Sequence, residues 1–208
     1  MELINSEIQK YLVDLLPPRD PVLAEMEEVA ARESFPIVGP LVGNLIYQLA
    51  MMINARRIIE LGSGYGYSAL WFARALRGSG TIICTDENPA NAKRAAEFFS
   101  RAGVSASIDY RVGDAVAILD SLDGEFDIIF NDAHKYDYPK IFYKSLPKLR
   151  RGGLLIADNA LWHGKVLDVH PDESTAALLT WNRLIYSTPD LLTTIIPIRD
   201  GVSVSLKR

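Results

Sequence analysis

From residue 56 onward the chain alternates short β-rich apolar runs with stretches at helical spacing, and this alternation limits the fold more than any other feature. Strands are expected near 56–61, 81–86, 106–112, 126–131 and 153–157, with helices near 67–77, 89–102, 114–122, 137–150 and 174–187. Strands separated by helical stretches of that length form βαβ units, which lay the strands parallel in one sheet with helices on its faces. The end breaks the pattern. Two β-rich runs, Thr193 to Ile198 and Val202 to Leu206, are joined by Arg199-Asp200-Gly201. An Asp-Gly pair between such runs reads as a hairpin. The expected class is α/β: a Rossmann-like, mostly parallel, seven-stranded sheet ending in an antiparallel hairpin.

Upstream, Ile4, Ile8, Leu12, Leu15 and Leu16 recur at helical spacing over 3–16, and Pro17-Pro18 stops that helix. Asp20-Pro21 supplies the N-cap and first-turn residue of a second helix reaching about Ser34. Phe35-Pro36-Ile37-Val38-Gly39-Pro40 interrupts, and a third helix runs from about Leu41 to Ile53. With 208 residues, no internal repeat and no long linker, the chain reads as one domain over 1–208, with N-terminal helices in 1–55 and a Rossmann-like core in 56–208.

A hydrophobic fraction of 49% and a charged fraction of 23% suit a soluble globular chain. The net charge of −4 argues against a nucleic-acid backbone as the main partner, since such proteins carry a basic face. The single cysteine, Cys84, sits inside an apolar strand pattern and reads as a core residue. Nothing resembles a signal peptide or a bilayer-spanning run, so no membrane association and a cytoplasmic location are expected.

In open α/β sheets ligands bind at the carboxyl ends of the strands. Two such ends carry unusual chemistry: Asn131-Asp132-Ala133-His134-Lys135 after the fourth strand and Ala157-Asp158-Asn159 after the fifth. Asp132, Asp158 and Asn159 make an all-oxygen set suited to a hard divalent cation, Mg²⁺ first, with Mn²⁺ or Ca²⁺ as alternatives. Without a cation, two carboxylates facing each other would repel and one pKa would rise. Lys135, one short turn from Asp132, is placed to accept or stabilise a proton.

The first strand leads into Glu60-Leu61-Gly62-Ser63-Gly64-Tyr65-Gly66-Tyr67-Ser68. Glycines at a strand-to-helix turn let the backbone approach a ligand closely. Gly62 and Gly64 fit the dinucleotide fingerprint, but Tyr67 stands at its third glycine, and the Glu60 carboxylate would repel a pyrophosphate. S-adenosylmethionine carries an ammonium and a sulfonium and no phosphate, and suits the loop better than a nicotinamide dinucleotide. Asp86, at the end of the second strand, is placed for ribose hydroxyls, and Asp114-Ala115 after the third strand is placed to frame an adenine.

At these residues the sequence resembles the cation-dependent O-methyltransferases, the family that includes catechol and caffeoyl-CoA O-methyltransferases. The resemblance is carried by Glu60 to Ser68, Asp132-Ala133-His134-Lys135, Gly152 to Asn159 with Leu161 to Val166, and Ile196 to Val202. It implies that Val38, Glu60, Gly62, Ser63, Ser68, Asp86, Asp114, Ala115 and Asp132 surround S-adenosylmethionine, that Asp132, Asp158 and Asn159 bind the metal, and that Lys135 is the catalytic base, with Asp132 beside it. It also implies a homodimer contacting through the N-terminal helices. The expected acceptor is a small catechol-like aromatic, whose neighbouring oxygens chelate a metal. The alternatives are a modified tRNA wobble uridine, for which the basic Lys144, Lys148, Arg150 and Arg151 speak, and a non-catalytic S-adenosylmethionine-binding protein. Many relatives carry an acid where His134 stands, and the shorter N-terminal segment does not support a plant-like CoA-ester acceptor.

Overall fold

The computed structural model describes residues 5–208. Three helices come first: α1 (Ser6–Asp14), α2 (Pro21–Glu33) and α3 (Gly39–Met52). Asp20 caps α2 by accepting the Val22 amide at 2.8 Å, with Pro21 fitting the first turn, as expected. Pro40 is tolerated for the same reason in the first turn of α3, which starts two residues before the expected Leu41. Ile4, counted in the first helical pattern, lies outside the described residues.

The alternating part follows as β1 (Arg57–Leu61), α4 (Tyr67–Leu76), β2 (Thr81–Asp86), α5 (Pro89–Arg101), β3 (Ile108–Val112), α6 (Ala115–Ser121), β4 (Phe126–Asn131), α7 (Tyr138–Ser145), β5 (Leu149–Ala157), α8 (Glu173–Ser187), β6 (Leu191–Ile196) and β7 (Val202–Lys207). The sheet order is β3-β2-β1-β4-β5-β7-β6, parallel except where β7 runs antiparallel to both β5 and β6. One boundary differs clearly from expectation. The helix placed at 137–150 ends at Ser145, a 3-10 turn spans Leu146–Lys148, and β5 begins at Leu149, paired with Phe126. Pro147 has no amide hydrogen and cannot continue a helix, so the Leu146 and Leu149 spacing belongs to a helix end and a strand start.

The strands bury both faces. Ile58, Ile82, Ile128 and Ile156 pack under α2–α5, while Ile59, Ile83, Ile129 and Leu155 pack under α6–α8. Period-2 alternation thus separates two cores that are both apolar, which is why the strands read as unbroken hydrophobic runs. Trp181 of α8, fully buried, donates its indole hydrogen to Ser203 of β7 at 3.3 Å and holds the terminal hairpin to the second core. No helix among the described residues is long and apolar enough to cross a membrane.

Candidate active site

From β1 the sheet grows outward to β2 and β3, and on the other side to β4 and β5. The strand order reverses between β1 and β4, which opens a crevice at their carboxyl ends. A cleft of about 760 Å³ occupies it, lined among others by Gly62, Gly64, Asp86, Asp114, Ala115, Asp132, Lys135, Asp158 and Asn159. Val38, Ser63 and Ser68 line a small recess beside it that shares Gly62 and Asp132 with the cleft. The fold thus gathers residues from six separate segments at one end of the sheet.

The glycine loop is built on its neighbours' backbone. The amides of Gly62 and Ser63 donate to the Thr85 carbonyl at 3.1 and 2.7 Å. Gly62 has φ of +85°, and a Cβ there would lie 2.5 Å from the Asp132 carbonyl oxygen, so no side chain fits. Asp86 accepts from the Gly64 amide at 3.0 Å, the Asn88 amide at 2.8 Å and the Asn91 side chain at 3.0 Å. Its carboxylate therefore shapes the loop as well as lining the cleft. Asp114 caps α6, accepting the Ala117 amide at 2.6 Å.

Glu60, expected around the cofactor, is fully buried behind the loop and lines neither the cleft nor the recess. It accepts the Ser68 hydroxyl and lies 3.8 Å from the Cys84 sulfur. Burial pushes its carboxyl up to about 8, so the pair Glu60–Ser68 is a buried hydrogen bond supporting the start of α4.

The other side of the cleft is charged. Asn131 pairs with Ala157 in the parallel ladder of β4 and β5, so the next residues, Asp132 and Asp158, leave the sheet side by side. Lys135 Nζ lies 3.2 Å from Asp132 Oδ1 and 2.9 Å from the Tyr138 hydroxyl, and Tyr138 in turn donates to the Asp158 carbonyl at 3.1 Å. Burial opposes charge on Lys135, but Tyr138 and Asp132 outweigh it and its pKa rises above the ordinary lysine value. Tyr138 is itself pushed up by burial and stays a neutral phenol, so the opposite charge comes from Asp132.

Burial pushes Asp132 up although Lys135 pulls the other way. Burial, then the Asp132 charge, push Asp158 up to about 7. Asp158 Oδ1 is buried without a hydrogen-bond partner among the described residues. No group of three or more His, Cys, Asp and Glu able to hold a metal occurs among those residues. The donor set here is two carboxylates and the Asn159 amide, hard oxygens that match a small divalent cation. An orphaned carboxylate oxygen beside a second carboxylate is what a cation would satisfy.

Three contributors escaped sequence reasoning. Tyr138, at the start of α7, uses its hydroxyl to bridge Lys135 and the Asp158 backbone. Arg199 and Asp200, read only as a turn, line the cleft. Arg199 donates to the Ile37 carbonyl, tying the terminal hairpin to the segment before α3, and its charge reaches both Asp132 and Asp158. Asp200 holds the loop after β5. The signal available was the pairing of two charged residues in one tight turn.

The remaining candidates are less engaged. His134 is half exposed, stacks on Tyr136 with ring centres 5.3 Å apart, and lies 3.8 Å from Glu87. Most of the basic turn is consumed within the fold: Lys144 pairs with Asp120, Lys148 binds the carbonyls of Asp120 and Leu122, and Arg150 pairs with Asp127. Three of the four basic residues that spoke for a nucleic-acid acceptor thus make internal contacts, while Arg151 stays exposed.

Known proteins resemble this chain in sequence and in fold. The O-methyltransferase family matches residues 17–208. A catechol O-methyltransferase of Niastella koreensis is 36% identical, over 82% of this chain and 80% of that protein. A caffeoyl-CoA O-methyltransferase of Eucalyptus gunnii is 32% identical, over 97% of this chain and 88% of the other. In structure, the O-methyltransferase TomG from Streptomyces achromogenes, solved in complex with S-adenosylmethionine, superposes with a TM-score of 0.88 at 30% identity, covering 97% of this chain and 96% of that one. The chain belongs to the O-methyltransferase family, and its activity is that of an S-adenosylmethionine-dependent O-methyltransferase.

Proposed function

We propose that this enzyme methylates a hydroxyl of a small catechol-like aromatic, with a divalent cation held by Asp132, Asp158 and Asn159. The observation that carries the reading is the Asp158 carboxylate, which lines the same cleft as Asp132, the glycine loop and Lys135 and keeps a buried oxygen without a partner among the described residues. The names of the catechol and caffeoyl-CoA relatives support the acceptor class.

The methyl donor is assigned to the β1–β2–β3 side. Gly62 and Gly64 admit it closely, Val38, Ser63 and Ser68 form the recess for its amino-acid end, Asp86 meets the ribose, and Asp114 with Ala115 frames the adenine. Glu60 acts from behind by fixing Ser68. Asp132 borders both the recess and the cleft, where donor and acceptor meet.

A phenol has a pKa near 10 and is a poor nucleophile at neutral pH. A hard cation bound here supplies Lewis acidity, lowering that pKa and orienting two neighbouring oxygens, Mg²⁺ being the first choice and Mn²⁺ or Ca²⁺ the alternatives. Lys135 is paired with Asp132, and a cation held by Asp132 would weaken that pairing and ease release of the Lys135 proton. Neutral Lys135 Nζ would take the acceptor's proton as the oxygen attacks the sulfonium methyl in line, the methyl–sulfur bond breaking and its electron pair leaving with S-adenosylhomocysteine. The protein contributes alignment and fixed charge, the terms that dominate group transfers of this kind.

The N-terminal helix supports a homodimer. α1 buries none of its residues, and Ile8, Tyr11, Leu12 and Leu15 stay exposed on it. Sedimentation analysis tests this: removal of residues 1–16 should shift a dimer toward monomer.

The deciding experiment is an acceptor screen with radiolabelled S-adenosylmethionine over catechols, hydroxycinnamates and total tRNA, with Mg²⁺ or with chelator. Methyl transfer to catechols that stops with chelator is expected. Undiminished activity in chelator would refute the metal, and transfer only to tRNA would refute the acceptor class.

A further inference from the structure

Asp200 stands at the tip of the β6–β7 hairpin, and its side chain is only 10% exposed. Its two carboxylate oxygens are occupied by nitrogen donors. Oδ1 accepts the His163 amide, with His163 Nδ1 at 3.4 Å, and Oδ2 accepts from Asn159 Nδ2 at 3.2 Å. Backbone bonds run alongside: the Ala160 amide donates to the Gly201 carbonyl at 2.8 Å and the Leu161 amide to the Asp200 carbonyl at 2.9 Å. The loop after β5 is therefore clamped to the hairpin tip. That loop needs a clamp, since Asn159, Trp162 and His163 all have φ near the left-handed region, at 60°, 47° and 52°.

We propose that Asp200 is the positioning residue for Asn159, fixing which end of its amide is offered to the cation. This rests on the metal reading above. A carboxamide presents an oxygen on one side and an NH₂ on the other, and only the oxygen ligates a hard cation. An ionised carboxylate accepts hydrogen bonds and donates none, so the Asn159 edge next to Asp200 must be nitrogen. The oxygen is thereby left for the site formed with Asp132 and Asp158. Asp200 is assigned no ligand role: one oxygen serves the His163 amide and the other Asn159 Nδ2. Partners of this kind, one shell out from a metal, set ligand orientation and affinity.

Asp200→Asn tests the assignment with little change of shape. Its amide oxygen takes over the His163 amide, which turns the NH₂ toward Asn159 and reverses the Asn159 amide. The measurement is Mn²⁺ affinity of the full chain by electron paramagnetic resonance titration, with S-adenosylmethionine affinity by calorimetry as the folding control. The expected loss in Mn²⁺ affinity is about 10–100-fold, with cofactor affinity nearly unchanged. In an Asn159→Ala background the same substitution should add nothing, because the amide it steers is gone. Asp200→Ala, which removes the acceptor that selects the Asn159 nitrogen, replaces the variant should Asp200→Asn fail to fold, and a smaller loss of Mn²⁺ affinity is expected. Wild-type Mn²⁺ binding that is abolished by Asp158→Ala but unchanged by Asp200→Asn would overturn the role of Asp200 alone. Equal losses in both backgrounds would also overturn it, since Asp200 would then act independently of Asn159. Absence of Mn²⁺ binding in the wild type would overturn the metal reading and this role with it.

Discussion

The two sides of the cleft are finished to different degrees. On the donor side, around Gly62, Gly64 and Asp86, the polar groups that shape the loop find partners in the chain: the loop amides meet Thr85 and Asp86, and Ser68 meets Glu60. On the acceptor side, Asp158 keeps an oxygen without a partner among the described residues, two buried carboxyls are pushed up, and a lysine is held charged. A site whose polar groups satisfy one another is ready to receive a neutral or zwitterionic ligand with little rearrangement. A site whose charges conflict is waiting for another charge. The contrast separates binding the methyl donor from activating the acceptor.

The strongest way to break that separation is Asp158→Ala. Turnover should fall on the order of 10³-fold, the scale of removing a preorganised electrostatic group, while calorimetry finds S-adenosylmethionine binding nearly as in the wild type. A matching loss of cofactor affinity would mean that the two sides are one. Lys135→Ala should lower turnover by about 10²-fold and again spare the cofactor, as read from steady-state kinetics and titration. Unaltered turnover would exclude Lys135 as the base.

Gly62→Ala probes the other side. The new methyl meets the Asp132 carbonyl at a positive φ, and the cost is about 1–3 kcal/mol, visible in denaturant midpoints together with weakened cofactor binding. A smaller effect comes from pH. Asp158 at about 7 and Glu60 at about 8 stand above their unfolded values near 4. Between pH 4 and those values the folded chain holds protons that the unfolded chain has released, so stability of the metal-free protein declines as pH rises through that window. Added Mg²⁺ competes with the Asp158 proton, and the rise in Tm that it causes should grow from pH 5 to pH 8. An Mg²⁺ effect independent of pH would remove Asp158 from the ligand set.

The glycine loop and the sheet were legible in the sequence, because both are local patterns. Strand-helix alternation and a glycine loop are contiguous in the chain, and the ends of β1, β2 and β4 fell where the apolar runs stop. What stayed hidden depends on contacts between distant segments. The Glu60 carboxylate was legible as an acid near a loop, but its direction, toward Cys84 and Ser68, is set by the strand's alternation between two cores. Asp200 reaches Asn159 only because β7 lies against β5, and the Arg-Asp-Gly turn carries no mark of that neighbour. The overlong helix at 137–150 came from letting leucine spacing outweigh Pro147.

Gly62 closely approaches the Asp132 carbonyl. Main chain touches main chain where the two sides of the cleft meet, so their separation is set by backbone, as by a ruler, and side chains of the lining such as His134, Trp162 and His163 are not what fixes it.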